Sequence, residues 1–195
     1  MYAPGMSELP ESARPKPLTR RAHERIAAHL HPGDLALDAT AGNGHDTLFL
    51  ARSVGAEGHV WALDIQHAAI ESTRRRLKEQ ALEERVTLIQ AGHERMAQLL
   101  PESAQGRLRV VMFNLGYLPG SDKHVTTTAE STLAALEAAE SMRAPDGLLS
   151  VLVYRGHAGA GWEARAVADW MQHRRAERLG GQADQDPILY LLGSV

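Results

Sequence analysis

Apolar and polar positions alternate along this chain in two periods that take turns. From Leu18 to Leu30 the apolar residues Leu18, Ala22, Ile26, Ala27 and Leu30 recur at helical spacing, with Arg20, Arg21, His23, Glu24 and Arg25 between them, and Pro32-Gly33 closes the segment. The short apolar run Leu35–Asp38 then reads as a strand. Helical spacing returns over Thr47–Ser53 and Ala68–Gln80, and strands are expected at Val60–Asp64 and Val86–Gln90. A short helical piece over Met96–Leu100 precedes Leu108–Phe113, whose unbroken apolar run predicts a strand covered on both faces. The spacing next predicts a helix over Thr128–Met142, capped by Thr127 and Glu130, and a strand over Leu148–Tyr154. A helix over Glu163–His173, a weak strand near Ala176–Leu179 and an apolar run Ile188–Leu192 complete the chain.

Strands separated by helices predict βαβ units and a doubly wound parallel sheet of the α/β class. At 195 residues, with 44% hydrophobic and 23% charged positions, one soluble domain is expected over residues 18–195. The proline-rich residues 1–17 are expected to form a flexible lead-in. They lack the apolar core of a secretory signal, and no run is long enough to span a membrane, so a cytoplasmic protein is expected.

The densest chemistry lies in Asp38-Ala39-Thr40-Ala41-Gly42-Asn43-Gly44-His45-Asp46-Thr47. Gly42 and Gly44 let the backbone approach a ligand closely, and a helix N-terminus follows. Asp64, twenty residues after Gly44, ends the second strand where it can hold ribose hydroxyls. Either a dinucleotide or S-adenosylmethionine contains such a ribose. The third glycine of the dinucleotide pattern falls at Thr47, and Asp38 would repel a pyrophosphate while suiting an ammonium, which favours S-adenosylmethionine. A plain strand–turn–helix without ligand is the bland alternative, and a nucleotide-binding oxidoreductase or a non-catalytic binding module are the rivals of another class.

Composition narrows the chemistry further. The chain has no cysteine, which removes disulfides, thiolate metal sites and the thiol adduct used in C5 methylation of pyrimidines, leaving an amine or hydroxyl as the acceptor. A net charge of −3 gives no global nucleic-acid signal, so RNA would have to meet a local patch. Arg14, Lys16, Arg20, Arg21 and Arg25 are the candidates, whereas Arg74, Arg75, Arg76 and Lys78 read better as a solvated helix face. His29 and His31 stand without clustered acids, so no metal site is expected.

After the fourth strand comes Asn114-Leu115-Gly116-Tyr117-Leu118-Pro119-Gly120-Ser121-Asp122-Lys123, at the carboxyl edge where ligands bind in such sheets. Together with the 38–47 loop, Asp64-Ile65-Gln66 and Ala91-Gly92-His93-Glu94, this string resembles the group labelled putative rRNA methylases, over roughly Leu18–Tyr154. Characterised members of that group methylate the aminomethyl group on the wobble uridine of tRNA. The resemblance implies a seven-stranded Rossmann-like class I methyltransferase sheet with its last strand antiparallel, S-adenosylmethionine as cofactor, and a tRNA anticodon stem-loop as partner. It implies that Thr40, Asn43, Asp46, Asp64, Ile65, Gln66, His93 and Glu94 line the cofactor beside Asp38, Gly42, Gly44 and Thr47. Asn114 is expected to touch the cofactor and position the amine, Tyr117 to pack on the base or amine, and Asp122 to serve as proton acceptor. The turn Gln182–Pro187 departs from the group's Asn-rich pattern, which bears on tRNA specificity more than on the cofactor.

Overall fold

The computed structural model describes residues 16–116, 128–155 and 160–193. Its elements are α1 (Leu18–Ala27), β1 (Leu35–Asp38), α2 (His45–Ser53), β2 (His59–Asp64), α3 (His67–Glu79), β3 (Val86–Gln90), α4 (Met96–Leu99), β4 (Leu108–Leu115), α5 (Ala129–Met142), β5 (Arg143–Val153), α6 (Ala160–His173), β6 (Glu177–Gly180) and β7 (Ile188–Leu192). The strands form one sheet in the order β3-β2-β1-β4-β5-β7-β6. Strands β1 to β5 are mutually parallel, and β7 runs antiparallel to both β5 and β6. This is the doubly wound class I methyltransferase sheet, with the order reversing between β1 and β4. The crevice outside their carboxyl ends is where such sheets bind ligands.

Side-chain alternation on the strands builds two cores. Ala36, Val60, Val110 and Met112 face α1, α2 and α3, whereas Leu37, Leu63, Val111 and Phe113 face α4, α5 and α6. β4 therefore feeds both cores, and its residues from Val110 to Phe113 are fully buried, which is why it reads as a continuous apolar run.

Several boundaries differ from the sequence reading for identifiable reasons. α1 stops at Ala27, and only a loose turn carries the chain to Leu30 through its N–H to the Ile26 carbonyl. β4 extends through Leu115, so Asn114 is a strand residue paired with Leu152 rather than the first residue of a loop. β5 begins at Arg143, not Leu148. Arg143 pairs with Leu108, the chain then bulges through Pro145-Asp146-Gly147, and pairing resumes at Leu148. Arg143 closes the bulge with a 2.6 Å bond from Nη1 to the Gly147 carbonyl. Pro and Gly thus mark an excursion within a strand here. The cap of α5 sits one residue later than expected: Thr128 Oγ1 accepts from Ser131 N, and Ser131 Oγ accepts from Thr128 N, each at 3.2 Å. Ser131 thereby replaces Glu130 as the reciprocating residue, while Thr127 lies outside the described residues.

Candidate functional site

The loop after β1 is held by its own polar groups. Asp38 is fully buried, with Oδ1 accepting from Thr40 N at 3.1 Å and Oδ2 from Thr47 Oγ1 at 2.6 Å. Burial raises its carboxyl to about 7, the negative charge of Asp46 pushes the same way, and the bonds from Thr47 and Thr40 oppose both. Asp38 and Thr47 therefore tie the start of α2 back to the strand, and Asp38 turns to the interior of the loop rather than to its open side.

Gly42 and Gly44 take positive φ, +53° and +78°. At Gly44 glycine is needed twice over, because a Cβ there would also lie 2.8 Å from the Thr73 Cα on α3. α3 braces the loop further: Thr73 Oγ1 donates to the Gly42 carbonyl at 3.2 Å, and Arg76 Nε to the Asn43 carbonyl at 2.8 Å. Arg76 thus leaves the solvated arginine run to hold the loop, a role invisible in the run Arg74-Arg75-Arg76.

Asp64, at the end of β2, bridges the loop and α3. Its Oδ2 accepts from Gly42 N and its Oδ1 from Gln66 N, both at 2.9 Å. A carboxylate offers about four acceptor directions, so this half-buried group retains capacity for hydroxyls. Beside it Ile65 is 62% exposed, an apolar face at the crevice rim. Gln66 is the half-buried N-cap of α3. His93 lies deeper than expected of a loop histidine, buried edge-on against Phe113 with ring centroids 5.7 Å apart. Burial lowers its pKa, against the opposing charges of Glu94 and Glu163, so a neutral imidazole is favoured. Glu94 itself is exposed.

Thr40 and Asp46 connect the loop to β4. Asn114 N donates to Thr40 Oγ1 at 2.7 Å, and Asn114 Nδ2 donates to Asp46 Oδ2. The other oxygen of Asp46 meets His23 Nε2 at 2.5 Å, and the His23 ring stacks on Phe49 at 4.0 Å and 8°. The remaining atom, Asn114 Oδ1, is buried and has no hydrogen-bond partner among the described residues. Tyr154 follows β5 beside this edge, 41% exposed, its ring close above Gly116. Its hydroxyl pKa is raised, chiefly by burial and then by the charge of Asp46. His23 and Tyr154 were missed in the sequence: one was merely polar on an amphipathic helix, the other merely the end of a strand. Tyr117 and Asp122 lie outside the described residues.

The basic candidates are mostly engaged. Lys16 and Arg20 both face Glu24, at 2.7 and 3.5 Å, and Arg25 pairs with Glu177. Arg21 makes no ion pair among the described residues, and Arg14 lies outside them. Among the described residues there is no group of three or more His, Cys, Asp or Glu suited to a metal, and no helix long and apolar enough to cross a membrane.

Comparison with known proteins places the chain in a family. The family model described as "Putative rRNA methylase" matches residues 60–180. The chain is 44% identical over 161 residues to the chloroplastic tRNA (mnm(5)s(2)U34)-methyltransferase of Arabidopsis thaliana, an alignment covering 78% of this chain and 58% of that protein. It thus spans under two thirds of that relative's length. Among solved structures, a putative rRNA-methylase from Clostridium thermocellum is similar at 34% identity and TM-score 0.86, covering 93% of this chain and 99% of that one. A putative methyltransferase from Streptococcus mutans in complex with SAH is similar at 28% identity and TM-score 0.79, with the same coverages.

Proposed function

Because the chain belongs to the "Putative rRNA methylase" family, we propose that it is an S-adenosylmethionine-dependent N-methyltransferase that converts 5-aminomethyl-2-thiouridine at the tRNA wobble position to its methylaminomethyl form. The residues present fit the cofactor. Asp64 keeps acceptor capacity for ribose hydroxyls, Ile65 offers an exposed apolar face for a base, and Gly42 to Gly44 bring backbone close to the crevice. Thr40, Asn43, Asp46, Gln66, His93 and Glu94 complete the proposed cofactor set. The SAH bound in the Streptococcus mutans structure supports this reading, as does the activity in the plant relative's name.

When bound, S-adenosylmethionine would supply an electrophilic methyl group on its sulfonium, the neutral thioether leaving as a neutral amine takes the methyl. The protein's task is therefore alignment and removal of a proton from the amine. The observation that carries the proposal is the unpaired Oδ1 of Asn114 at the junction of β1 and β4. An acceptor there takes an N–H of the substrate amine and turns its lone pair toward the methyl. The absence of cysteine is consistent with an acceptor that needs no thiol adduct. Tyr117 as packing residue and Asp122 as proton acceptor remain part of the proposal.

Lys16, Arg20, Arg21 and Arg25, with Arg14 before them, are proposed to meet phosphates of the anticodon stem-loop. Surface pairs such as Lys16–Glu24 are weak enough to exchange partners. One domain over residues 18–195 and a cytoplasmic setting belong to the same proposal; the plant relative is chloroplastic, so tagging and fractionation decide the compartment.

The test is nucleoside mass spectrometry after incubating the protein with S-adenosylmethionine and tRNA carrying the aminomethyl group. One methyl gained on that nucleoside is expected. Methylation of rRNA or of a free amine, with none on this tRNA, would overturn the substrate assignment.

A further inference from the structure

Asn114 can serve as an acceptor only if its amide stands one way round. Its oxygen accepts hydrogens from an amine, but its nitrogen would donate to the amine lone pair, the pair required for attack. The orientation therefore decides whether the residue helps or hinders. Nothing in β4 itself fixes it, since the backbone bond from Asn114 N to Thr40 Oγ1 leaves the side-chain amide free to turn over.

Asp46 supplies what β4 lacks. A carboxylate accepts and does not donate, so the atom of Asn114 that faces Asp46 Oδ2 must be Nδ2, and Oδ1 is turned away from it. Asp46 is itself held on its second oxygen by His23 Nε2, and the His23 ring is fixed flat against Phe49. Both side chains are mostly shielded, 30% exposed at His23 and 17% at Asp46. Among the described residues, the Tyr154 hydroxyl also feels Asp46 from this edge, whereas buried Asp38 feels its charge from behind the loop.

We propose that Asp46 and His23 are positioning residues that lock the Asn114 amide with its oxygen toward the reacting amine, so that a helix outside every recognised motif sets the acceptor of the reaction. This rests on the reading of Asn114 given above. It gives Asp46 an orienting role toward the substrate side, separate from contact with the cofactor.

Exchanging the two side chains tests it. In Asp46→Asn the new amide can donate to Asn114 Oδ1, which frees the amide to turn over and present its nitrogen to the amine. Single-turnover methylation of aminomethyl-bearing tRNA, measured with saturating S-adenosylmethionine, should fall tenfold or more, a larger loss than any fall in S-adenosylmethionine affinity measured alongside. Asn114→Asp alone sets two carboxylates face to face and should also be slow. The double variant Asp46→Asn/Asn114→Asp restores a donor at 46 and an acceptor oxygen toward the amine, and should recover most of the rate. His23→Ala should slow turnover less, and His23→Gln, whose amide can still donate to Asp46, should be faster than His23→Ala. In the free protein, the side-chain amide NMR signals of Asn114 should move in His23→Ala.

The proposal is overturned if Asp46→Asn turns over at the parent rate, if the double variant is no faster than either single one, or if lost cofactor affinity accounts for the whole defect. Should Asp46→Asn not fold, the order of His23→Gln and His23→Ala with the Asn114 signals decides. If instead Asn114→Ala itself turns over at the parent rate, it is the reading of Asn114 that fails.

Discussion

The loop after β1 and the end of β4 lie side by side at the carboxyl edge of one sheet, yet they treat their polar groups in opposite ways. In the loop both Asp38 oxygens are satisfied from within, and the Gly42 and Asn43 carbonyls are braced by Thr73 and Arg76 of α3. At the end of β4 the hydrogen-bonded chain His23–Asp46–Asn114 stops at an oxygen with no described partner. A closed network is rigid before anything binds, whereas an open valence at the end of a rigid network is positioned for an incoming hydrogen. On the function proposed above, binding and chemistry divide accordingly, with the loop to hold one reactant and Asn114 to aim the other.

The sharpest way to break the loop's side of this comparison is Gly44→Ala. The left-handed conformation costs about 1–2 kcal/mol for a residue with a side chain, and the Cβ would press on the Thr73 backbone at 2.8 Å. Thermal denaturation should show clear destabilisation, and calorimetry should show cofactor affinity reduced more than by any single polar truncation in the loop. Affinity and melting temperature equal to the parent's would mean the loop is not the rigid partner. Asp64→Ala comes next. Loss of a charged acceptor costs about 1.5–3 kcal/mol, and here the Gly42 and Gln66 N–H groups lose their acceptor as well. Unchanged affinity in the folded variant would remove Asp64 from the cofactor site.

How much of this division was legible in the sequence depends on the distance over which each feature is encoded. The parallel strands, the glycine loop and Asp64 were readable because each is set by a few neighbouring residues: an apolar run, two glycines, an acid at a strand end. The bracing of the loop was not, because Thr73 and Arg76 meet Gly42 and Asn43 only after α3 folds back across β2. The same holds for His23, which reaches Asp46 from α1 and has no local pattern to separate it from a solvated histidine. Asn114 was found through its string, but its pairing within β4 was not, since the strand continues two residues past the apolar run. Asp38 was read as suiting the cofactor's ammonium, while its burial, with both oxygens taken by Thr40 and Thr47, became visible only in the fold.

That burial also gives the loop a pH signature. The native Asp38 carboxyl holds its proton up to about 7, against an ordinary 3.8, so the unfolded chain releases it first. The stability associated with this group is fully present below about pH 4 and is lost as pH rises through about 7. Asp38→Asn should therefore flatten the fall in stability over this window, whose slope for one proton is at most about 1.4 kcal/mol per pH unit. Urea unfolding at several pH values reads it directly, and an unaltered slope would mean that Asp38 is not the group responsible.

The smallest expected effects lie on α1 and just before it. Arg21→Ala should reduce the salt slope of tRNA binding by about 1 if it meets one phosphate, and Lys16→Ala by less, because Lys16 shares Glu24 with Arg20. If neither changes the slope, this helix acts through His23 alone.

The division between a binding loop and an aiming residue stands or falls on Asn114→Ala. Its single-turnover rate on aminomethyl-bearing tRNA, measured with saturating S-adenosylmethionine alongside the cofactor's affinity, should drop by about 10²-fold through lost alignment, with affinity changed no more than a few fold. A variant that turns over at the parent rate, or one whose defect disappears once loss of cofactor binding is corrected for, would contradict the account.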